Sequence, residues 1–257
     1  MADLVAELKK IPSVTRFLVA SSLGVTLPAI LRLVPLYAIY FNSSLVFRKW
    51  QIWRVYTSMF LGSEGIGYIF ELIMLYRHSN TLESEHYRLR SSDYAWQLSL
   101  ASISIIALNR PLGSPFHTHP LLHAVTYLMC ALSAPGAQTS VMGIVTIPIK
   151  YFPYALLGMD ILAGHGAQAM SGMIVGHVWW WLVWGAGTGA GSREQGMFAR
   201  FARAPKWLRD CFGEHEGDHR GTNRAGYQVV APRQRAEQNA GAPTTGYQWG
   251  SGRRLGQ

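Results

Sequence analysis

Six apolar runs follow one another along the first 187 residues, and this serial pattern constrains the fold more than any other feature of the chain. They are Phe17–Phe41, Val55–Tyr76, Tyr94–Leu108, Leu121–Ala134, Val141–Ala163 and Ala169–Gly187. Runs of this length need either a large shared core or a bilayer. Charged residues make up only 14% of the 257 residues, against roughly 25% in an average soluble domain. Too few charges remain to coat a globule, so the pattern predicts an all-α polytopic membrane protein with six spans. The sparse charge of the first half also disfavours a nucleic-acid binder.

The bases are unevenly placed. Of 23 Lys and Arg residues, 11 lie from Ser192 onward. A membrane body at 17–187 and a basic, largely disordered tail at 188–257 are therefore expected, after a short segment at 1–16. Lys9, Lys10 and Arg16 precede the first run, and Asp3 and Glu7 argue against a signal peptide. The positive-inside bias puts both termini and the loop Arg77–Asp93 in the cytosol. The loop Asn42–Arg54, with Arg48, Lys49 and Arg54, runs against that bias. Cys130 lies in an apolar run and Cys211 in the tail, so no disulfide is expected.

The third and fourth runs hold 15 and 14 residues, roughly 21–23 Å of helix against about 30 Å of hydrocarbon. Either their ends extend further or the bilayer thins around them. Arg32, Glu71, Lys150 and Asp160 fall inside runs and should face a polar interior or the interface.

Several patterns bear on chemistry. His215-Glu216-Gly217-Asp218-His219 matches a zinc motif, but Gly213 and Gly217 break the helix that such a site requires. His117, His119 and His123 read as a polar loop with incidental histidines rather than as a metal site. Gly172-x3-Gly176 lets the sixth span approach a neighbour closely, and His177 follows it as a hydrogen-bonded core residue. A histidine there raises intramembrane serine proteolysis as the alternative. That chemistry needs a G-x-S-G serine opposite, and neither Ser133 nor Ser140 has that setting. A transporter would need an internal repeat or broken helices at matching positions, and neither is visible.

Further motifs carry a family resemblance. Ile11-Pro12-Ser13-Val14-Thr15-Arg16, Leu36-Tyr37-Ala38-Ile39-Tyr40-Phe41-Asn42, Leu45-Val46-Phe47 and Gln51-Ile52-Trp53-Arg54 occur in order. Leu75-Tyr76-Arg77, Leu82-Glu83, Asp93-Tyr94, Tyr151-Phe152-Pro153-Tyr154 and Gly172 to His177 follow. Together they resemble the Derlin family of rhomboid pseudoproteases. At the end of the chain, Trp249-Gly250-Ser251-Gly252-Arg253-Arg254-Leu255-Gly256 is similar to the family's SHP box. One departure is Cys130-Ala131-Leu132, where the family often has Trp-Ser-Arg.

The resemblance implies a rhomboid-like bundle of six transmembrane helices in the endoplasmic reticulum membrane. It implies a non-catalytic component of ER-associated degradation that needs no cofactor. The partners implied are ER membrane lipids, misfolded client proteins, an ER ubiquitin-ligase complex and the AAA ATPase valosin-containing protein, with homo-oligomers possible. Trp53 and Arg54 would anchor the non-cytosolic loop at the interface. Gly172, Gly176 and His177 would pack the sixth span. Trp249, Gly250, Gly252, Arg253, Arg254, Leu255 and Gly256 would dock the ATPase.

The charge distribution yields a direct expectation. A C-terminal tag in sealed microsomes should be digested by added protease, and Asn42-Ser43-Ser44, close to the membrane, should stay unglycosylated. A protected tag would reverse the topology.

Overall fold

The computed structural model describes residues 11–141, 145–187 and 196–214. Its helices are α1 (Ser13–Ile30), α2 (Leu36–Ile39), α3 (Ser43–Lys49), α4 (Trp53–Phe60), α5 (Ile66–Thr81), α6 (Ser91–Asn109), α7 (Thr118–Leu132), α8 (Phe152–Leu162), α9 (Gly166–Trp184) and α10 (Lys206–Phe212). Strands β1 (Gln138–Val141) and β2 (Val145–Pro148) pair antiparallel, with Thr139 opposite Ile147. Among the described residues the six helices longer than ten residues form the bundle, and α2 to α4 lie in the connection between its first two members.

Helix α7 is the central member. It is apolar almost all round and buries Leu121, Leu122, Ala124, Val125, Leu128 and Leu132, as expected of a helix enclosed by others. Tyr87, Tyr94 and Ile105 join the same core and are fully buried.

The buried polar groups are satisfied between helices. Helix α1 has no capping side chain of its own at Pro12. The Glu83 carboxylate caps it from a π-helical turn at Leu82–His86, accepting from Val14 N at 3.0 Å, Thr15 N at 2.8 Å and Thr15 Oγ1 at 2.8 Å. An anion there meets both the orphan amides and the positive end of the helix dipole. Ser79 bonds both Thr15 Oγ1, at 2.9 Å, and Tyr94 OH, at 3.0 Å, which ties α5, α1 and α6 together. In the same loop, burial against Trp184 lowers the His86 pKa from its ordinary value.

Outside, the pattern inverts. Phe17, Ile66, Ile69, Ile73, Ile103 and Trp181 are exposed, while Thr15, Thr26, Ser58, Glu83, Gln97, Asn109 and Thr126 are buried. Polar groups inside and apolar ones outside are what a hydrocarbon solvent selects. By length and composition, one helix among the described residues, α1 with mean hydropathy 1.4, is long and apolar enough to cross a membrane. Helix α6 has the length, but Ser92, Asp93, Gln97 and Asn109, all buried, lower its hydropathy.

Four expectations are corrected. The first run does not form one helix to Phe41: α1 stops at Ile30, Arg32 takes a left-handed φ of 56°, and Pro35 keeps the residue before it out of the helical region. The second run is broken at 61–65, where Gly65 at φ 70° separates α4 from α5. The fifth run begins as the β1–β2 hairpin. Only Phe152–Leu162 is α-helical there, with Pro153 in its first turn, and Lys150 lies in a 3₁₀ turn rather than inside a span. The tail is not irregular throughout. Residues 196–214 fold back along α6 and α9, with Ala204 N donating to Asp93 Oδ1 at 2.7 Å and Gln97 Nε2 to Ala202 O at 3.1 Å. The third run lengthens to the 19 residues of α6, whereas α7 has 15.

The Glu83 cap gives a stability expectation. Glu83→Ala leaves buried amides unpartnered and should cost about 3 kcal/mol. Thermal unfolding of the detergent-purified chain should show a clearly lower midpoint than Glu85→Ala, a change in the same turn. Equal midpoints would remove the cap's structural role.

Candidate functional site: the α7–α9 seam and the groove beside it

Helix α9 crosses α7 at backbone contact distance. A Cβ placed on Gly172 would lie 2.2 Å from Pro120 O and 2.5 Å from Pro120 Cα. One placed on Gly176 would lie 2.8 Å from Ala124 O and 2.9 Å from Tyr127 Cβ. The obstructing atoms are mostly backbone, so the seam has no room for any side chain. The i, i+4 spacing puts both glycines on one face of α9, one turn apart.

His177 follows Gly176, yet it is exposed rather than a core residue. Its Nδ1 pairs with Tyr127 OH at 2.6 Å, and its ring lies 5.6 Å from that of Trp180. The position facing this histidine across the seam is thus occupied by a phenol. Ser133, the described serine of the fourth run, donates to Met129 O at 2.7 Å and makes no contact with His177. Among the described residues no serine hydrogen-bonds His177.

Next to this pair a groove of about 730 Å³ opens between the C-terminal end of α7, the hairpin and α8. Tyr127, Cys130, Lys150, Tyr151, Tyr154 and Trp180 line part of it. The Lys150 ammonium sits 4.7 Å from the centre of the Tyr151 ring. The walls therefore combine apolar surface with tyrosine hydroxyls and an ammonium group, which suits amphipathic rather than purely hydrocarbon chains.

A second polar cluster lies at the opposite end of α7. His123 Nε2 bonds Asp160 Oδ2, and His119 lies between Glu71 Oε1 at 3.4 Å and Asp160 Oδ1 at 3.7 Å. His119 stacks on His165 with ring centres 4.9 Å apart. His117 is separate, bonded to Ser58 and packed on Phe41. Among the described residues no group of three or more His, Cys, Asp or Glu is arranged to hold a metal ion. Here Glu71 and Asp160 find the polar interior that their place in apolar runs demanded.

Trp53 and Arg54 do not share one environment. Trp53 is exposed at the start of α4. Arg54 is only 6% exposed and donates to Tyr37 O at 2.6 Å, Tyr40 O at 3.0 Å and Gln51 Oε1 at 2.6 Å. It holds the loop through the carbonyls of Tyr37 and Tyr40, in and just after α2. Trp249, Gly250, Gly252, Arg253, Arg254, Leu255 and Gly256, and the His215–His219 motif, lie outside the described residues. Tyr127 gave no warning in the sequence; His119 and His123, expected in a polar loop, instead lie in α7 and face Asp160, the acid that stood out inside an apolar run.

The seam sets a matched test. Gly172→Ala should cost about 2 kcal/mol by overpacking, while Gly24→Ala, with nothing within 4 Å, should be neutral or slightly stabilising. Thermal unfolding in detergent distinguishes them, and equal midpoints would mean the seam is loose.

Residues 11–196 match the profile of the Der1-like family. The chain is 27% identical to Derlin-1 of Homo sapiens over 262 aligned residues, covering 100% of this chain and 99% of the relative. It is 32% identical to Derlin-1 of Oryza sativa subsp. japonica over 152 residues, covering 58% of this chain and 62% of the relative. For Derlin-1 of Arabidopsis thaliana the identity is 30%, covering 64% and 60%. The chain thus spans about three fifths of these two plant relatives. With a family match across most of the helical bundle, the chain belongs to the Der1-like family, and its fold is the rhomboid-like membrane fold of that family.

Proposed function

We propose that the chain is a non-catalytic component of ER-associated degradation that helps misfolded proteins across or out of the ER membrane. Residues 17–187 act as a membrane domain spanning six times, with 1–16 and 188–257 in the cytosol. The observation that carries this reading is the pairing of His177 with Tyr127 at 2.6 Å beside an open, partly polar groove. The residue facing the histidine is a phenol, a poor nucleophile for acyl transfer, so the seam favours holding a chain over cutting one.

The groove gives polar segments of a client somewhere to go. Unpaired polar groups in hydrocarbon cost several kcal/mol each. A wall with Tyr127, Tyr154 and Lys150 lowers that cost while Trp180 keeps apolar contact. Helix α8, at 11 residues, is only about 16 Å long. Such a short member supports a locally thinned bilayer beside the groove.

The force comes from the cytosol. Trp249 serves as an aromatic anchor and Arg253 and Arg254 as acid-seeking flanks for the AAA ATPase valosin-containing protein. An ER ubiquitin-ligase complex marks the clients, and copies of the chain assemble with one another.

Two measurements test the proposal. The full chain should capture the ATPase, and a chain ending at Gly246 should not; equal capture would remove the tail from the scheme. A client's half-life should lengthen severalfold when Arg54→Ala frees the α2–α4 loop, with membrane insertion unchanged. A wild-type half-life in that variant would show that the loop takes no part.

A further inference from the structure

Residues 196–214 form a strap whose position is fixed by bonds to the bundle. Gly196 N donates to Val183 O at 2.9 Å and Phe198 N to Leu182 O at 3.0 Å, which holds the strap to the last turn of α9. A Cβ on Gly196 would lie 2.0 Å from Leu182 O, so only glycine allows this approach. On the other side Trp96 Nε1 donates to Phe201 O at 2.9 Å and Gln97 Nε2 to Ala202 O at 3.1 Å, which holds the strap to α6.

Between these two attachments α6 and α9 leave a crevice of about 170 Å³. Leu100, Val178, Trp179, Leu182, Phe198 and Phe201 are among the residues of its wall. Leu100, Val178, Phe198 and Phe201 are all exposed, so the crevice opens on the outer face of the bundle, where the other exposed apolar side chains mark the lipid contact.

The strap also carries charge. Arg200 stands between Phe198 and Phe201 in the chain, Arg203 follows, and both are exposed. Neither has an acidic partner among the described residues: Asp93 is engaged by Arg90 and Ala204 N, and Glu214 by Ser92. An apolar crevice, two of whose wall residues come from a segment bearing exposed arginines, matches the two-part chemistry of an amphiphile with a negative head.

We propose that the crevice between α6, α9 and the strap binds one anionic phospholipid, with an acyl chain along Leu100, Val178 and Phe201 and the phosphate against Arg200 and Arg203. The site requires only that the chain lie in a bilayer, and it stands whether or not the chain serves degradation. Arg is suited to the head because its planar fork meets phosphate oxygens in pairs.

The test uses the full chain purified in mild detergent with equimolar phosphatidylserine and phosphatidylcholine, retained lipid being counted by native mass spectrometry. Phosphatidylserine should be retained about tenfold over phosphatidylcholine. Arg200→Glu with Arg203→Glu, both on the surface, should bring the two lipids to parity at an unchanged melting temperature. Val178→Trp or Leu100→Trp, filling the crevice from opposite walls, should reduce retention of both lipids. Parity in the unaltered chain, or a preference that survives charge reversal, would overturn the site. Full retention in a folded crevice-filling variant would overturn the placement of the acyl chain.

Discussion

Backbone contact between α9 and α7 is the constraint on which the rest depends. In hydrocarbon, helices gain nothing by hiding apolar surface from one another, so association rests on close packing and on hydrogen bonds. Gly172 and Gly176 remove the side chains that would keep the two backbones apart. That approach brings Tyr127 within reach of His177, and it sets α9 where Ser171 meets Asn109 of α6 at 2.7 Å and Trp179 meets Gln97 at 2.9 Å. Widening the seam would break several polar contacts at once, and those of Asn109 and Gln97 are buried where no water can replace them.

Much of the bundle was legible in the sequence, because the solvent it is built for leaves a strong mark. Apolar runs point to α1, α5, α6, α7 and α9. What they do not carry is the point at which a run changes conformation. Val145-Thr146-Ile147-Pro148 is as apolar as a helix turn, and hydropathy does not separate a short apolar strand from a helical segment. The clues were Pro148 and Pro153, which punctuate the fifth run, and Gly65, which can take the left-handed φ that divides the second. Glu83 was hidden for a different reason. In a loop with Glu85, His86 and Arg88 it reads as one more solvated charge, and its role depends on an amide pair 69 and 68 residues away.

The site divides the same way. The glycine pair is visible because its spacing is helical and its meaning is steric. Tyr127 is invisible, since a tyrosine in an apolar helix carries no signal of what it faces. Arg54 was found, but its environment was not: the sequence shows a cation near an interface and is silent about the carbonyls of Tyr37 and Tyr40. Asp160 marked itself as an acid among apolar residues, and the fold supplied His119 and His123 as its partners.

The strap also has a mechanical side. Its attachments fall at Val183 and Leu182 on one helix and at Ser92, Asp93, Trp96 and Gln97 on another. Tension arriving along the chain beyond Glu214 meets the bonds from Ser92 first, then those at Ala204, Ala202 and Phe201, before it reaches α9. These contacts are staggered along the strap, so they yield in sequence rather than together. A pull on the tail is spent peeling short polar contacts from α6, one after another, and the α7–α9 seam feels it last.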